Sequence, residues 1–375
     1  MRICQITTVH SRYDTRIFLK ECRSLSRSGY DVTLVVADGR GSETKDGVSI
    51  VDIGSKPRGK LSRILFSLRI MRRALQNIDA DVFHFHDPEL LPVASAFAKA
   101  GSKVIYDSHE DLPRQLLAKD WAPRWLLGLV APLLEIFENG VARQVSAVVA
   151  ATEGIANRFS AIGANAALVR NYPIAEEFAV PDAAGAVSGI QGARSGACYV
   201  GGIFENRGAH EMAAAAALSG IKLYLAGPFK PAALEGEMLA LAPKPELISI
   251  EGFLDREGVA RLLSECQMGL VTLRDIPSYR ESLPIKLFEY MAAGLPVIAS
   301  DFPSWRLIVE DGGCGLCVDA SSPEAIAEAM CEIASDPVRA AKMGERGRKL
   351  VAELYNWNLE EKSLLGLYSG LEHSA

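Results

Sequence analysis

The sequence lacks the features that mark several large classes of protein. It has no basic excess, because 40 Lys and Arg residues against 46 Asp and Glu residues give a formal net charge of −6, and this argues against a dedicated nucleic-acid binder. The N-terminus shows no signal peptide, and no apolar run approaches the ~20 residues that a membrane-spanning helix needs. We therefore expect a soluble chain, or one that binds a membrane from outside.

Cysteine is too scattered for a disulfide framework. The seven cysteines are odd in number, which is typical of a reduced, cytoplasmic protein. Cys314 and Cys317 form a C-x-x-C, which occurs in many zinc sites, but no second Cys or His pair at zinc spacing accompanies it. We interpret these two cysteines as small residues of a strand.

What the chain does contain is a regular alternation of short Val- and Ile-rich runs with helical stretches. Such runs predict parallel strands that helices bury on both faces. They form two series, separated by a stretch rich in Gly, Ala, Pro and Ser. The sequence thus predicts an α/β protein with two Rossmann-like, doubly wound parallel-sheet domains facing across a cleft. The predicted divisions are a first domain over 1–172, a linker over 173–196, a second domain over 197–356 and a C-terminal helix over 357–375 that crosses back to the first domain.

The most informative segment is RESLPIKLFEYMAAGLPVIAS, residues 280–300. Ser282 suits the N-cap of a helix that runs to about Ala293, and Gly294 suits the C′ position. The free N–H groups and the dipole of a helix start attract a diphosphate. Lys286 in the first turn adds a full positive charge. The helix start therefore predicts an anion site, with Ser282 and Leu283 beside it.

Acidic and basic side chains near this helix suit a sugar nucleotide. Glu281 and Glu289 bracket the helix start and can accept hydrogen bonds from sugar hydroxyls, although they can also be two solvated glutamates. In YVGGIFENRG, Gly201 and Gly202 end a strand, and their backbone can approach a phosphate. Arg207 can then grip two phosphate oxygens, or be an exposed residue at a helix start.

The string from Glu281 to Glu289 and the following FEYMAAGLPVIAS resemble the E-x7-E motif of a large family of retaining GT-B glycosyltransferases, glycosyltransferase family 4. That family contains sucrose synthases and many bacterial mannosyltransferases. The resemblance implies that Glu281 binds the donor sugar and Glu289 the nucleotide ribose. Arg207 matches a basic residue of the family, whereas Gly202 stands where the family has another. We expect Lys286 to supply the missing charge.

The resemblance extends to loops that follow other strands. The family's loop at residues 252–254 contacts the base, which implies base contacts by Phe253 and Leu254. In the first domain the family often has a histidine that His109 matches, expected near the donor sugar. The family's Gly-Gly loop after the first strand is absent, so we expect Asp14, Thr15 or Arg16 to replace it, or Asp14 or Thr15 to cap a helix.

We assign acceptor binding to four first-domain residues: Arg16, His86, Asp87 and Glu110. His84, His86 and His109, with the neighbouring acids, do not form a recognisable metal signature, so we expect no metal and no other cofactor. The D-x-D string at 79–81 precedes a strand and is interpreted as a turn. A basic stretch over residues 56–73 suits an anionic membrane, or is a solvated helix.

The function predicted from these patterns is a metal-independent, retaining glycosyltransferase in bacterial surface polysaccharide biosynthesis. Its expected partners are a nucleotide-diphosphate sugar and a glycan acceptor linked to a polyprenyl diphosphate, with no nucleic acid. The alternatives are a sugar-nucleotide epimerase of the same architecture and a non-catalytic nucleotide-sugar-binding subunit. A nicotinamide-dependent dehydrogenase is disfavoured because no G-x-G-x-x-G follows the first strand.

Overall fold

The computed structural model describes residues 1–56, 71–117, 123–178, 194–242, 244–280 and 282–373. The chain divides into two compact units. Unit 1 comprises Met1–Asn171 and Trp357–Ala375, and unit 2 comprises Tyr172–Asn356.

Unit 1 is built on an eight-stranded sheet with the order β3-β4-β2-β1-β5-β6-β7-β8, parallel except for the β3–β4 pair. Its parallel strands have the 3-2-1-4-5-6 order of doubly wound folds, extended at one edge. The strands are β1 Arg2–Ile6, β2 Asp31–Val36, β3 Glu43–Lys45, β4 Val48–Asp52, β5 Val82–Phe85, β6 Lys103–Ser108, β7 Ala147–Ala150 and β8 Ala166–Leu168.

Helices flank this sheet, and the C-terminal helix belongs to the same unit. Trp357 Nε1 donates to Ser24 Oγ at 2.9 Å, and Tyr368 Oη lies 2.8 Å from His84 Nδ1. The helices are a π-helical turn Ile17–Cys22, α1 Arg23–Arg27, α2 Arg72–Leu75, a 3-10 turn Pro88–Leu90, α3 Leu91–Lys99, α4 Leu112–Leu117, α5 Arg124–Ala142, α6 Glu153–Ala161 and, after unit 2, α15 Trp357–His373.

Unit 2 has a six-stranded, all-parallel sheet with the order β11-β10-β9-β12-β13-β14. This is again 3-2-1-4-5-6, so the order reverses between β9 and β12, where ligands of such sheets bind. The strands are β9 Ala197–Val200, β10 Leu223–Ala226, β11 Ile248–Gly252, β12 Met268–Val271, β13 Val297–Ser300 and β14 Gly315–Val318.

The helices of unit 2 cover both faces of its sheet and bury two hydrophobic clusters. Burial on both faces explains the continuous apolar strands, and the two sheets confirm the predicted fold class. The helices are 3-10 turns Ala175–Phe178, Glu205–Arg207 and Pro245–Leu247, with α7 Ala209–Ser219, α8 Ala233–Leu241, α9 Arg256–Glu265, α10 Pro277–Arg280, α11 Ile285–Ala292, α12 Pro303–Val309, α13 Pro323–Ser335 and α14 Pro337–Glu353.

Helix α5 corrects the expectation that no apolar run approaches a membrane-spanning length. Among the described residues it is the one helix that is long and apolar enough, at 19 residues, to cross a membrane by length and composition. The apolar run is hard to recognise in the sequence because Pro132 and two glutamates interrupt it. One face of α5 nevertheless packs into unit 1, with Leu127, Ala131 and Val141 buried.

Candidate active site

The carboxyl end of β9 in unit 2 forms a tightly held glycine loop. The backbone N–H of Val200 donates to Tyr290 Oη at 2.8 Å, and Tyr199 Oη donates to the Gly202 carbonyl at 3.0 Å. Gly201 has φ +117°, and a Cβ there would lie 3.2 Å from Lys286 Nζ. Glycine is therefore favoured by the backbone conformation, and a Cβ would also crowd the lysine.

Lys286, which the sequence analysis assigns to the anion site, lies against this loop. Its Nζ lies 3.5 Å from the centroid of the Tyr199 ring and has no hydrogen-bond partner among the described residues. Burial, and then the nearby charge of Arg207, lower the pKa of Lys286 well below its ordinary value. A diphosphate at this position would supply the negative charge that the ammonium lacks.

Arg207 approaches the same loop from the 3-10 turn that follows it. Its Nη1 donates to the Gly202 carbonyl at 3.2 Å, and its guanidinium lies 4.8 Å from the Phe204 ring centroid. A Cβ on Gly202 would lie 3.6 Å from Arg207 Nη1. Two residues that are 79 positions apart in the sequence, Arg207 and Lys286, therefore meet at one glycine pair.

The start of α11 differs from the prediction. The helix begins at Ile285 with Pro284 as its N-cap residue, so Ser282 is not the N-cap. The Ser282 hydroxyl donates instead to the Tyr279 carbonyl at 2.9 Å, and Trp305 Nε1 donates to the Ser282 carbonyl at 2.7 Å. Because proline has no side-chain acceptor, no side chain caps the first turn of α11.

Glu289, which the resemblance assigns to the ribose, is held in place by an arginine that sequence reasoning missed. Arg256 Nη1 donates to Glu289 Oε1 at 2.7 Å, and Arg256 Nε donates to Glu177 Oε2 at 2.8 Å. Glu289 is only 4% exposed. Arg256 sits at the start of α9, which the sequence signals only as a helix after the loop at residues 252–254.

Four more residues are predicted to bind the donor, and the structure describes three of them. Glu281 lies outside the described residues. Phe253 is 86% exposed after β11, whereas Leu254 packs partly against the core. Leu283 also packs partly against that core. Phe253 thus presents a free aromatic ring at the carboxyl edge of the sheet, which a nucleotide base can stack on.

In unit 1, Asp87 organises the loop after β1. Its carboxylate accepts hydrogen bonds from the Thr8 backbone N–H, from the Val9 N–H at 3.1 Å and from the Thr7 hydroxyl at 3.1 Å. His10 Nδ1 lies 3.0 Å from the Asp87 carboxylate. Although burial opposes ionisation, His10 and the Thr8 N–H lower the pKa of Asp87 to about 2.

Asp107, at the end of β6, organises a second buried network. Arg16 binds both of its oxygens at 3.0 Å, and His86 and His109 lie 3.1 and 2.9 Å from Oδ2. Burial works against ionisation, but Arg16 and then His109 lower the pKa of Asp107 well below its ordinary value. His109 therefore sits on a fixed carboxylate and keeps 20% of its side chain exposed.

These networks correct the predicted acceptor contacts. Arg16, His86 and Asp87 are 3%, 1% and 0% exposed and are bonded inside unit 1, so they present almost no surface to an acceptor. Glu110 is exposed and stays a candidate. The Gly-Gly loop is not replaced by Asp14, because Asp14 Oδ1 caps the following turn by accepting from the N–H groups of Arg16 and Ile17 at 2.8 and 3.0 Å.

Unit 1 also contains four potential metal ligands that the sequence did not signal as a set. Ligand atoms of Glu21, His84, His86 and Asp107 lie within 4.8 Å of one another, all buried. Burial and then Asp107 raise the pKa of Glu21 well above its ordinary value, which favours the protonated form. Arg16 lies 3.0 Å from both carboxylates, and neither oxygen of Glu21 nor Nε2 of His84 has a hydrogen-bond partner among the described residues.

The two units match two family models. Residues 15–174 match the family described as "Glycosyl transferase 4-like domain", and residues 186–350 match "Glycosyl transferases group 1". The chain belongs to this group of two-domain glycosyltransferases. The group 1 match contains Arg207, Lys286 and Glu289, and the 4-like match contains His109.

Relatives of this glycosyltransferase are matched over a limited segment. A GDP-mannose-dependent alpha-(1-6)-phosphatidylinositol monomannoside mannosyltransferase of Mycolicibacterium smegmatis is 36% identical over 90 residues, which are 24% of this chain and 24% of that protein. The first curated relatives are covered over only 20% and 22% of their length.

Solved structures of other proteins superpose along nearly the whole of this chain. Sucrose-phosphate synthase of Thermosynechococcus elongatus superposes with a TM-score of 0.80 at 19% identity, covering 100% of both chains. HepE of Anabaena, in complex with UDP-glucose, superposes with a TM-score of 0.70 at 13% identity, covering 99% of this chain and 100% of that one. At these identities the superpositions show a shared GT-B fold.

Proposed function

We propose that the protein transfers a sugar from a nucleotide-diphosphate donor to a glycan acceptor, with retention at the anomeric carbon and without a metal ion. The observation that carries the proposal is the meeting of Arg207 and Lys286 at the Gly201–Gly202 loop of unit 2. Glu289 lies on the same helix as Lys286, and the two side chains are close enough to interact electrostatically.

The chemistry follows from the charge that develops when the donor breaks. The bond between the anomeric carbon and the diphosphate oxygen lengthens, positive charge grows on the sugar, and negative charge grows on the diphosphate. Arg207, Lys286 and the N-terminal N–H groups of α11 stabilise the diphosphate, and fixed cations can take the place of a metal. By family resemblance Glu281 holds the sugar, and a leaving phosphate oxygen takes the acceptor proton.

The donor is tested by thermal shift with UDP, GDP and ADP and with their sugars, since HepE was solved with UDP-glucose and the mycobacterial relative is named for GDP-mannose. We expect the nucleotides of one base to raise the melting temperature of the wild type and not that of Arg207→Ala. The exposed Arg339, also in unit 2, provides the control Arg339→Ala. A stabilisation that Arg207→Ala leaves unchanged would contradict the proposed diphosphate seat.

Retention and metal independence are tested on the product. We expect the anomeric configuration of the donor to persist in the glycoside measured by NMR. Activity should survive EDTA treatment, and elemental analysis should find no stoichiometric metal. Inversion, or activity restored only by an added divalent ion, would refute the corresponding part of the proposal. Incubation with donor alone should give no epimerised sugar nucleotide.

The acceptor is proposed to be lipid-linked, through a polyprenyl diphosphate, with the enzyme on the cytoplasmic side of the membrane and the product entering a bacterial surface polysaccharide. The sequence assigns residues 56–73 to this anionic surface, and residues 57–70 lie outside the described residues. Lys56 donates to the Thr8 and Val9 carbonyls at 2.7 and 2.9 Å, and Arg72 and Arg73 are exposed. Transfer to a lipid extract, compared with a free oligosaccharide, tests this acceptor class.

A further inference from the structure

Helix α5 of unit 1 exposes an unusually large apolar face. Seven large apolar side chains on it are between 37% and 70% exposed: Trp125, Leu126, Leu129, Val130, Leu133, Ile136 and Phe137. At 100° per residue they cover an arc of about 140° around the helix axis. Single exposed apolar residues are ordinary, but a continuous stripe of this size marks a binding surface.

The opposite face of α5 is fixed in the fold. Glu138 is fully buried, with Oε1 accepting from Tyr106 Oη at 2.9 Å and Oε2 accepting from Arg158 Nη2 at 2.7 Å. Pulling α5 out of unit 1 to span a bilayer would break these bonds and expose Leu127 and Ala131. The helix therefore meets any apolar phase lying flat, with its outward face immersed.

The charges around this apolar face indicate which kind of partner binds it. Arg124 and Arg143 are exposed at the two ends of α5. Arg114 is exposed on α4, which packs beside α5, and it forms an ion pair with Asp111. At 100° per residue, Glu135, which is half-buried, and Arg124, at the end of the helix, lie on the side away from the apolar arc, whereas Arg143 lies at the edge of the arc. Basic residues at the rim of an apolar face complement the phosphates of anionic lipid headgroups.

The same charges disfavour a second copy of the chain. In a two-fold dimer, antiparallel pairing of α5 would bring Arg124 of each copy toward Arg143 of the other, and parallel pairing would bring each arginine toward its own equivalent. Like charges would meet at both ends in either arrangement.

From these observations we infer that α5 is an in-plane membrane anchor, whose apolar stripe enters the headgroup–acyl boundary of an anionic bilayer while its arginines bind lipid phosphates. This inference builds on the proposed lipid-linked acceptor and names the surface that would meet the membrane. It does not depend on the donor chemistry of unit 2.

The test is co-sedimentation of the full chain with vesicles of phosphatidylcholine alone or mixed equally with phosphatidylglycerol. We expect binding to the mixed vesicles, and at least a tenfold lower partition coefficient for Leu129→Gln/Ile136→Gln. The control is Leu307→Gln/Leu354→Gln, which changes two leucines of unit 2 that are 67% and 53% exposed and should leave binding unchanged. Arg124→Gln/Arg143→Gln should remove the preference for phosphatidylglycerol.

A spectroscopic readout locates the contact. Wild-type tryptophan emission should shift to the blue on adding the mixed vesicles, and the shift should vanish in Trp125→Phe, which keeps the other three tryptophans. Equal binding of wild type and Leu129→Gln/Ile136→Gln would overturn the inference, as would a lack of binding. A dimer in light scattering that this double substitution dissociates would overturn it in favour of a second copy.

Failure of this inference and failure of the proposed function give different results. Leu129→Gln/Ile136→Gln should keep the wild-type thermal shift with nucleotide. If nucleotide causes no shift in any variant while vesicle binding behaves as expected, the proposed donor site fails and the membrane anchor stands.

Discussion

At the scale of single residues, Lys286 shows how a side chain that suits a ligand can be unfavourable for the fold itself. Its ammonium is buried without a hydrogen-bond partner among the described residues, and its pKa is lowered by burial and by Arg207. A buried amine of this kind is retained in a fold that would be more stable with an apolar side chain there.

Lys286→Met should therefore separate stability from donor binding. We expect the free energy of unfolding to rise by about 1 kcal/mol, because an unpaired polar group leaves the interior. Affinity for the nucleotide diphosphate should fall at least tenfold in calorimetry, since a full charge near the phosphates is lost. The exposed Lys342 provides Lys342→Met as the control, which should change neither quantity. Lower stability with intact affinity would contradict the assigned role.

The pH dependence of donor affinity follows from the same pKa. Because the pKa of Lys286 is lowered in the free protein, raising the pH removes its charge earlier than in an ordinary lysine. Diphosphate binding should weaken as the pH rises through that lowered pKa, and binding should be accompanied by proton uptake. Calorimetry in two buffers of different ionisation enthalpy measures the proton, and Lys286→Met should abolish its uptake.

Asp107 and Glu21, two neighbouring buried carboxyls of unit 1, should respond unequally to replacement by the amide. Asp107→Asn leaves Arg16 without its ionised partner and should lower the free energy of unfolding by about 3 kcal/mol. Glu21→Gln replaces a carboxyl whose raised pKa favours the neutral form, so its cost should stay below about 1 kcal/mol. Chemical denaturation measures both. Equal large losses, with a metal lost from both variants, would show a metal site in place of a protonated Glu21.

At the scale of elements, the end of α11 illustrates a local signal that determines local structure. Gly294 has φ +69°, its N–H donates to the Met291 carbonyl at 2.9 Å, and the Leu295 N–H donates to the Tyr290 carbonyl at 2.9 Å. These two bonds form a Schellman motif. The start of α11 has no comparable local signal, because a tertiary bond from Trp305 holds Ser282 outside the helix.

Two glycine-to-alanine substitutions should have opposite effects on the free energy of unfolding. Gly294→Ala forces an L residue into the left-handed region and places a Cβ 1.8 Å from Arg348 Nη1, so it should destabilise by about 1–2 kcal/mol. Gly366→Ala, on an exposed turn of α15 with open space around it, should stabilise by about 0.5–1 kcal/mol. Thermal unfolding measures both, and a shift of the same sign would contradict this account.

At the scale of the whole molecule, buried histidines make stability depend on pH. Burial lowers the pKa of His84 and His86 from the ordinary value of 6.5. Below that value the unfolded chain binds protons that the native state does not, so stability falls as pH falls. Glu21, Glu138 and His10 oppose this, because their raised pKa values let the native state hold protons that the unfolded chain releases. His84 and His86 therefore each contribute a dependence on pH that a single substitution can isolate.

His84 should therefore make the free energy of unfolding decrease more steeply as the pH is lowered from about 7.5 to 5.5, by up to about 1.4 kcal/mol per pH unit. His84→Asn should make this decrease shallower, since one buried imidazole is removed. His210→Asn, at a half-exposed position of unit 2, should keep the wild-type slope. Equal slopes in the two variants would contradict the assignment to His84.

The sequence by itself determined the alternation of strands and helices, the glycines at their ends and the motif from Glu281 to Glu289. These depend on periodicity and backbone preference, which neighbouring residues settle among themselves. Only the tertiary structure decided which charges meet. Arg16 and Asp107 are 91 residues apart, and Arg256 and Glu289 are 33 apart. Such pairs, and the burial that shifts their pKa values, depend on the order of strands in the sheet, which no local pattern encodes.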